Sequence, residues 1–179
     1  MTRYVAFLRG VNVGGVNLKM ADVAAAFEDA GFTAVKTILA SGNVLLDSDT
    51  DVAAVRRTAE QALRERFGYD AWVLAYDVAT VAAVSGAYPF ERDVEGHHSY
   101  VTFVTDEQVL DELAALADAA RAEEKIARGD GVVYWQVPKS GTLETTIGKT
   151  MGKKRYRSST TTRNLRTLDK VLRSVDSAK

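Results

Sequence analysis

The chain has 179 residues, 46% apolar and 26% charged, a globular balance that excludes wholesale disorder and suits one medium or two small domains. Cysteine is absent and histidine occurs twice, at His97 and His98, which excludes disulfide scaffolds, thiolate chemistry and multi-histidine metal sites. The net charge of −1 hides a split, because residues 1–138 carry 12 Lys/Arg against 21 Asp/Glu while residues 139–179 carry 11 against 3.

Arg3–Arg9 reads as a strand through Tyr4, Val5, Phe7 and Leu8. The loop Gly10–Asn17 follows, with Asn17 as the expected N-cap of a helix through Met20, Val23, Phe27 and Ala30 that Gly31 ends. Val35–Ala40 and Asn43–Asp47 are strands around a tight turn at Ser41-Gly42. From Asp51 to Phe67 the apolar residues Val52, Val55, Ala59, Leu63 and Phe67 share one helical face, and Gly68 stops the helix. Ala71–Tyr76 completes a βαββαβ order, the split βαβ or ferredoxin-like pattern.

Residues 77–98 read as a connector containing a short helix, capped by Asp77 and ended by Gly86 and Pro89, and then a polar stretch through His98. The pattern then restarts. Ser99–Val104 is a strand, and Thr105 with Gln108 forms a capping box for a helix along Leu110, Leu113, Ala117 and Ala120. Glu124–Arg128 and Val132–Val137 form a hairpin across Gly129-Asp130-Gly131. A helix over Thr142 to about Gly152, a short strand at Tyr156–Thr161 and a final helix over Arg163–Val175 complete the chain. The fold class expected is therefore α+β. It comprises duplicated ferredoxin-like units with mainly antiparallel sheets, at 1–76 and 99–179, joined by the connector 77–98 and carrying an extra C-terminal helix.

In this topology the end of the first strand lies beside the following hairpin, which places Gly10–Asn17 next to Ser41-Gly42-Asn43. In the second unit, Lys139–Thr142 and Thr162–Asn164 likewise share an edge. The loop at 10–17 has the glycine spacing of a phosphate loop, but Val16-Asn17 replaces the required Lys-[Ser/Thr]. It is either a weaker anion cradle of backbone N–H groups flanked by Arg9 and Lys19, or a tight strand-to-helix turn. Gly148-Lys149-Thr150 only imitates a phosphate-loop tail, since it falls inside a helix. Asn43 either presents its amide to a ligand or serves the turn alone, and His97-His98 is either a general base or a solvated linker. Tyr100, Tyr134 and Trp135 either stack bases or pack inside. On the last helix Arg163, Arg166, Lys170 and Arg173 share one face, opposite Leu165, Leu168, Leu172 and Val175.

Leu8-Arg9-Gly10-Val11-Asn12-Val13-Gly14-Gly15, then Met20, then Ser41-Gly42-Asn43-Val44, and finally Thr161-Thr162-Arg163-Asn164 with Thr167 form an ordered set. In these motifs the chain resembles the domain-of-unknown-function family 1697 of bacterial proteins, a resemblance that implies duplicated ferredoxin-like units and no particular reaction. Two positions depart from it: Leu165 stands where an aromatic residue often follows Arg-Asn, and Gly141-Thr142 where a basic residue is more usual.

The candidate anion- or ligand-binding residues are Arg9, Asn12, Gly14, Gly15, Lys19, Ser41, Asn43, Lys139, Ser140, Arg163, Asn164 and Thr167, with Arg166, Lys170 and Arg173 as a basic surface stripe. The leading expectation is non-catalytic recognition of an anion or of a nucleic-acid phosphate backbone. The alternatives are an enzyme or binder acting on a small phosphorylated or carboxylated metabolite, and a protein–protein interaction module. No cofactor, metal or membrane partner is expected, an oligomer is open, and the compartment expected is the cytoplasm, since no apolar run approaches the roughly 20 residues of a membrane span and no signal-peptide layout follows Arg3.

Overall fold

The computed structural model describes residues 1–11, 16–92, 94–119, 124–139, 150, 153 and 156–176. The chain divides into two units, Met1–Ala82 with Asp169–Lys179, and Ala83–Leu168. Each holds one four-stranded antiparallel sheet.

The first sheet is built from β1 (Thr2–Leu8), β2 (Thr33–Ile38), β3 (Asn43–Ser48) and β4 (Val73–Asp77), in the order β2-β3-β1-β4. Helices α1 (Met20–Asp29) and α2 (Val52–Phe67) alternate with its strands. This is the ferredoxin-like order. Asp51 caps α2 by accepting from the Ala54 N–H at 2.9 Å, and Gly68 closes it in the left-handed region. Val55, Ala59 and Leu63, each four residues apart, are fully buried and pack with Tyr4, Ala6 and Leu46 of the sheet. Burial of a side chain such as Leu63 is worth about 1.5–3 kcal/mol.

Helix α1 starts later than the sequence predicts. Its N-cap is Lys19, in extended conformation and without a side-chain cap bond, rather than Asn17. The extended stretch lets Leu18 and Met20 both pack against the core, and that burial outweighs the Asn17 cap. The β2–β3 turn is also longer than expected, taking Leu39 to Gly42, with Leu39 and Gly42 at positive φ.

The second sheet contains β5 (His97–Val104), β6 (Lys125–Arg128), β7 (Val132–Pro138) and β8 (Thr160–Asn164), ordered β6-β7-β5-β8. Its order repeats that of the first. Helix α3 (Val78–Gly86) precedes β5, with Asp77 accepting from Thr80 N–H at 2.7 Å as the sequence suggests. Helix α4 (Glu107–Ala114) follows β5 and runs into a 3-10 turn at Ala115–Ala119. Asp106, not Thr105, caps α4, through bonds from Gln108 and Val109 N–H, because the Thr105 hydroxyl and amide are both directed to the Ser159 carbonyl. Leu110 and Leu113 bury against Val133, Trp135 and Val137. The expected helix over 142–152 and its Gly148-Lys149-Thr150 lie almost wholly outside the described residues.

Three further expectations change. His97 and His98 begin β5 instead of ending a linker, paired with Pro138 and Val137 of β7. Tyr156 is not in a strand: it is buried beside α4, with its hydroxyl on Glu112 at 3.1 Å, and its carbonyl anchors a turn through Thr160 Oγ1. The last strand therefore moves to β8, and the final helix, α5 (Leu165–Asp176), begins two residues later than expected. Its buried positions are Leu165, Leu168 and Val171, with Leu172 and Val175 half-buried at the margin of that face. Among the described residues no helix is long and apolar enough to cross a membrane.

Candidate functional site

In the first unit the end of β1 meets the β2–β3 turn, and the Asn43 side chain there is used by the turn. Leu8 N–H donates to the Gly42 carbonyl at 2.8 Å, which sets the end of β1 against the β2–β3 turn. Asn43 is fully buried, and its amide nitrogen donates to the Ile38 carbonyl at 2.9 Å and to Ser41 Oγ at 3.0 Å. Those bonds use both of its N–H groups. Arg9 is half-buried with its backbone N–H on the Trp72 carbonyl, and Lys19 is exposed at the start of α1. Asn12, Gly14 and Gly15 lie outside the described residues, although the flanking Val11 and Val16 meet in a single bridge.

In the second unit the structure gathers residues far apart in sequence. His97, His98, Ser99, Lys139, Asn164, Leu165 and Arg166 line one cavity of about 110 Å³. Strand pairing explains the convergence. Antiparallel β7 brings Pro138 opposite His97, so Lys139 emerges beside the start of β5, held by its N–H on the Gly96 carbonyl at 2.9 Å. Antiparallel β8 brings Asn164 opposite Tyr100, so α5 begins at the same end. The Asn164 side chain accepts from the Arg166 N–H at 2.9 Å and caps the helix. The sequence-level pairing of Lys139 with Asn164 is thus realised, whereas Ser140 lies outside the described residues.

Arg163 departs from its expected role. It belongs to β8 and is 7% exposed, with its guanidinium on Thr161 Oγ1 at 2.8 Å and the Thr162 carbonyl at 2.9 Å. Consecutive strand residues face opposite sides, so the Asn164 face that reaches the cavity excludes Arg163. The basic stripe on α5 reduces to the exposed Arg166, Lys170 and Arg173. Thr167 is half-buried and is not among the residues lining the cavity. Tyr134 and Trp135 are both 3% exposed and bonded inside, to the Val84 carbonyl and Thr102 Oγ1, so neither offers a face for base stacking.

His98, which the sequence left as either a general base or part of a solvated linker, lines this cavity. Burial of its ring, then the positive charges of Lys139 and Arg166, hold its imidazole below the usual histidine value. The ring also lies 5.4 Å from Tyr100, which in turn packs 4.4 Å from Trp135. The available signal was strand alternation: His98, Tyr100 and Thr102 occupy one face if β5 starts at His97. A larger groove of about 410 Å³ lies between α1 and α2, but there Arg66 bonds Asp29 at 2.8 Å. It gathers no comparable group of cations.

The sequence profile of the family described as "Protein of unknown function (DUF1697)" matches residues 1–134. The chain belongs to that family. Among solved structures, it is similar to a conserved bacterial protein, SP0830 from Streptococcus pneumoniae, with 22% identity and a TM-score of 0.77 over 96% of this chain and 97% of that one. At that identity the likeness supports a shared fold alone. No curated protein matches the chain. The family match ends before Lys139, Asn164 and Arg166, so the cavity is argued from its own chemistry.

Proposed function

We propose that this protein binds a phosphate-bearing ligand without transforming it, and that the anionic group sits in the cavity at the start of α5. The observation that carries this reading is the convergence of Lys139, Arg166 and His98 on one small cavity that also contains a helix N-terminus. A helix N-terminus of this length carries about half a positive charge, and two cationic side chains reinforce it. A volume of about 110 Å³ takes one oxyanion, whereas sites for whole drug-sized ligands begin near roughly 300 Å³. The cavity therefore suits the charged head of a small phosphorylated or carboxylated molecule, with the rest of the ligand outside.

Inorganic phosphate is the probe. Lys139→Ala with Arg166→Ala removes two charge-assisted contacts, each worth about 1.5–3 kcal/mol, so calorimetric affinity should fall at least about a hundredfold. Unchanged phosphate affinity in the double variant would overturn this assignment.

A second reading rests on the exposed row of Arg166, Lys170 and Arg173 along α5. Spacings of four and three residues put these cations on one helical face, suited to a nucleic-acid phosphate backbone. Three contacts to a single strand predict a slope of log affinity against log salt near about −2. Lys170→Ala with Arg173→Ala should bring it to about −0.7, and absence of binding at low salt eliminates this reading. The matching strand order of the two sheets supports a duplication of one ancestral unit, and the absence of cysteine suits a cytoplasmic setting. A concentration-dependent dimer that binds neither phosphate nor nucleic acid would favour an interaction module instead.

A further inference from the structure

Building on the anion site proposed above, we infer that the cavity selects a doubly charged tetrahedral oxyanion, such as a phosphate monoester dianion, by taking up a proton on His98 together with it. The geometry supplies the coupling. His98 stands on β5, facing the cavity that Lys139 enters from the end of β7 and Arg166 from the first turn of α5. Among the described residues, those two cations are the charges that act on His98. Also at the cavity are the neighbouring titratable His97 and the uncharged Ser99 and Asn164 side chains, with the Tyr100 ring 5.4 Å from His98 on the same strand.

In the empty cavity the two cations oppose a third positive charge. Together with burial of the ring, they keep the imidazole neutral near pH 7. A dianion placed among them offsets both cations and removes that repulsion. The imidazolium then gains an attractive partner and can donate an N–H to the oxyanion. A monoanion offsets only one of the two cations, so it recruits the proton weakly. By linkage, an anion that raises the histidine's pKa must itself bind more tightly as pH falls between the two pKa values. Below the pKa of the empty site the affinity levels off, because His98 is protonated in both states.

Inorganic sulfate is the right probe, because it stays a dianion across the range in which phosphate changes charge. Perchlorate serves as a tetrahedral monoanion of similar shape. Sulfate affinity measured by calorimetry from pH 8 to pH 5 should rise by roughly three- to tenfold per pH unit within the coupled window, up to the tenfold of one full proton. Perchlorate should give a shallower dependence. His98→Gln keeps a hydrogen-bonding side chain but removes the titration, so sulfate should still bind while the pH dependence flattens. The His98 midpoint, followed by NMR of its ring, should move upward when sulfate is added. Sulfate binding that is independent of pH in the parent protein would overturn the proton coupling and leave the anion site standing. Loss of the slope in His97→Gln but not in His98→Gln would also overturn it. Failure of both sulfate and phosphate to bind at any pH would remove the anion site itself.

Discussion

The β2–β3 turn of the first unit and the cavity of the second are both polar ends of a four-stranded sheet, yet they use their polar groups in opposite ways. At the turn, Asn43 is fully buried and its two amide hydrogens are held by Ile38 and Ser41. At the cavity, Lys139 and Arg166 are exposed and project from elements whose backbones are already fixed by Gly96 and Asn164. A buried polar group has to be satisfied by the fold, because leaving it unpaired costs about 1–3 kcal/mol. An exposed cation carries no such obligation, because water can solvate it. Polar residues at a loop are thus evidence of a binding site only once their burial and bonding are known.

The largest effect expected from this contrast falls on Gly42. A Cβ added there would stand 2.7 Å from the Leu8 Cβ, and φ is +88°. The left-handed backbone costs a side chain roughly 1–2 kcal/mol, and forcing the packed Leu8 aside costs about 1–3 more. Gly42→Ala should therefore lower stability by about 2–5 kcal/mol in urea denaturation. Lys139→Ala at the other edge should stay within about 0.5 kcal/mol, as surface substitutions usually do. A neutral Gly42→Ala would show that the turn yields easily, and the claim that its polar groups serve folding would lose its basis. Leu39 sharpens the point: it holds φ +62° while 44% exposed, a strained conformation that the bonds from Asn43 help to fix.

Much of the fold was legible because it depends on local signals. Asp51 and Gly68 bound α2 where expected, and Asp77 caps α3. The strand order follows once the alternation of strands and helices is recognised, since few topologies accommodate it. The candidate site was only half legible. Lys139 and Asn164 could be placed at one edge by topology, but His98 required the true start of β5, which polar residues before Ser99 obscured. Arg163 misled for a related reason. Its spacing to Arg166 and Lys170 fits a helical stripe, and nothing local marks that its guanidinium folds back onto Thr161 and Thr162. Capping shifted as well, from Thr105 to Asp106, because Ser159, remote in sequence, takes the Thr105 hydroxyl. Each miss involves a partner, or an element boundary, that local periodicity does not report.

The same truncation at two asparagines tests the comparison at its finest. Asn43→Ala deletes a fully buried amide and leaves the Ile38 carbonyl without that donor, which predicts a loss of about 1–3 kcal/mol. Asn164→Ala deletes a half-exposed helix cap, whose loss costs typically about 1 kcal/mol. The ligand response should run the other way. Without Asn164 Oδ1, the Arg166 N–H loses the acceptor that fixes the first turn of α5, and the Arg166 side chain loses its fixed base beside the cavity. Phosphate affinity should then drop several-fold, while Asn43→Ala leaves it unchanged in whatever fraction remains folded. Urea curves and phosphate calorimetry on the two variants read both quantities. If Asn43→Ala weakens phosphate binding by folded protein as strongly as Asn164→Ala does, the division between a structural edge and a binding edge fails. If both are destabilised and only Asn164→Ala binds phosphate more weakly, the opposite uses of two identical side chains are established by burial and position alone.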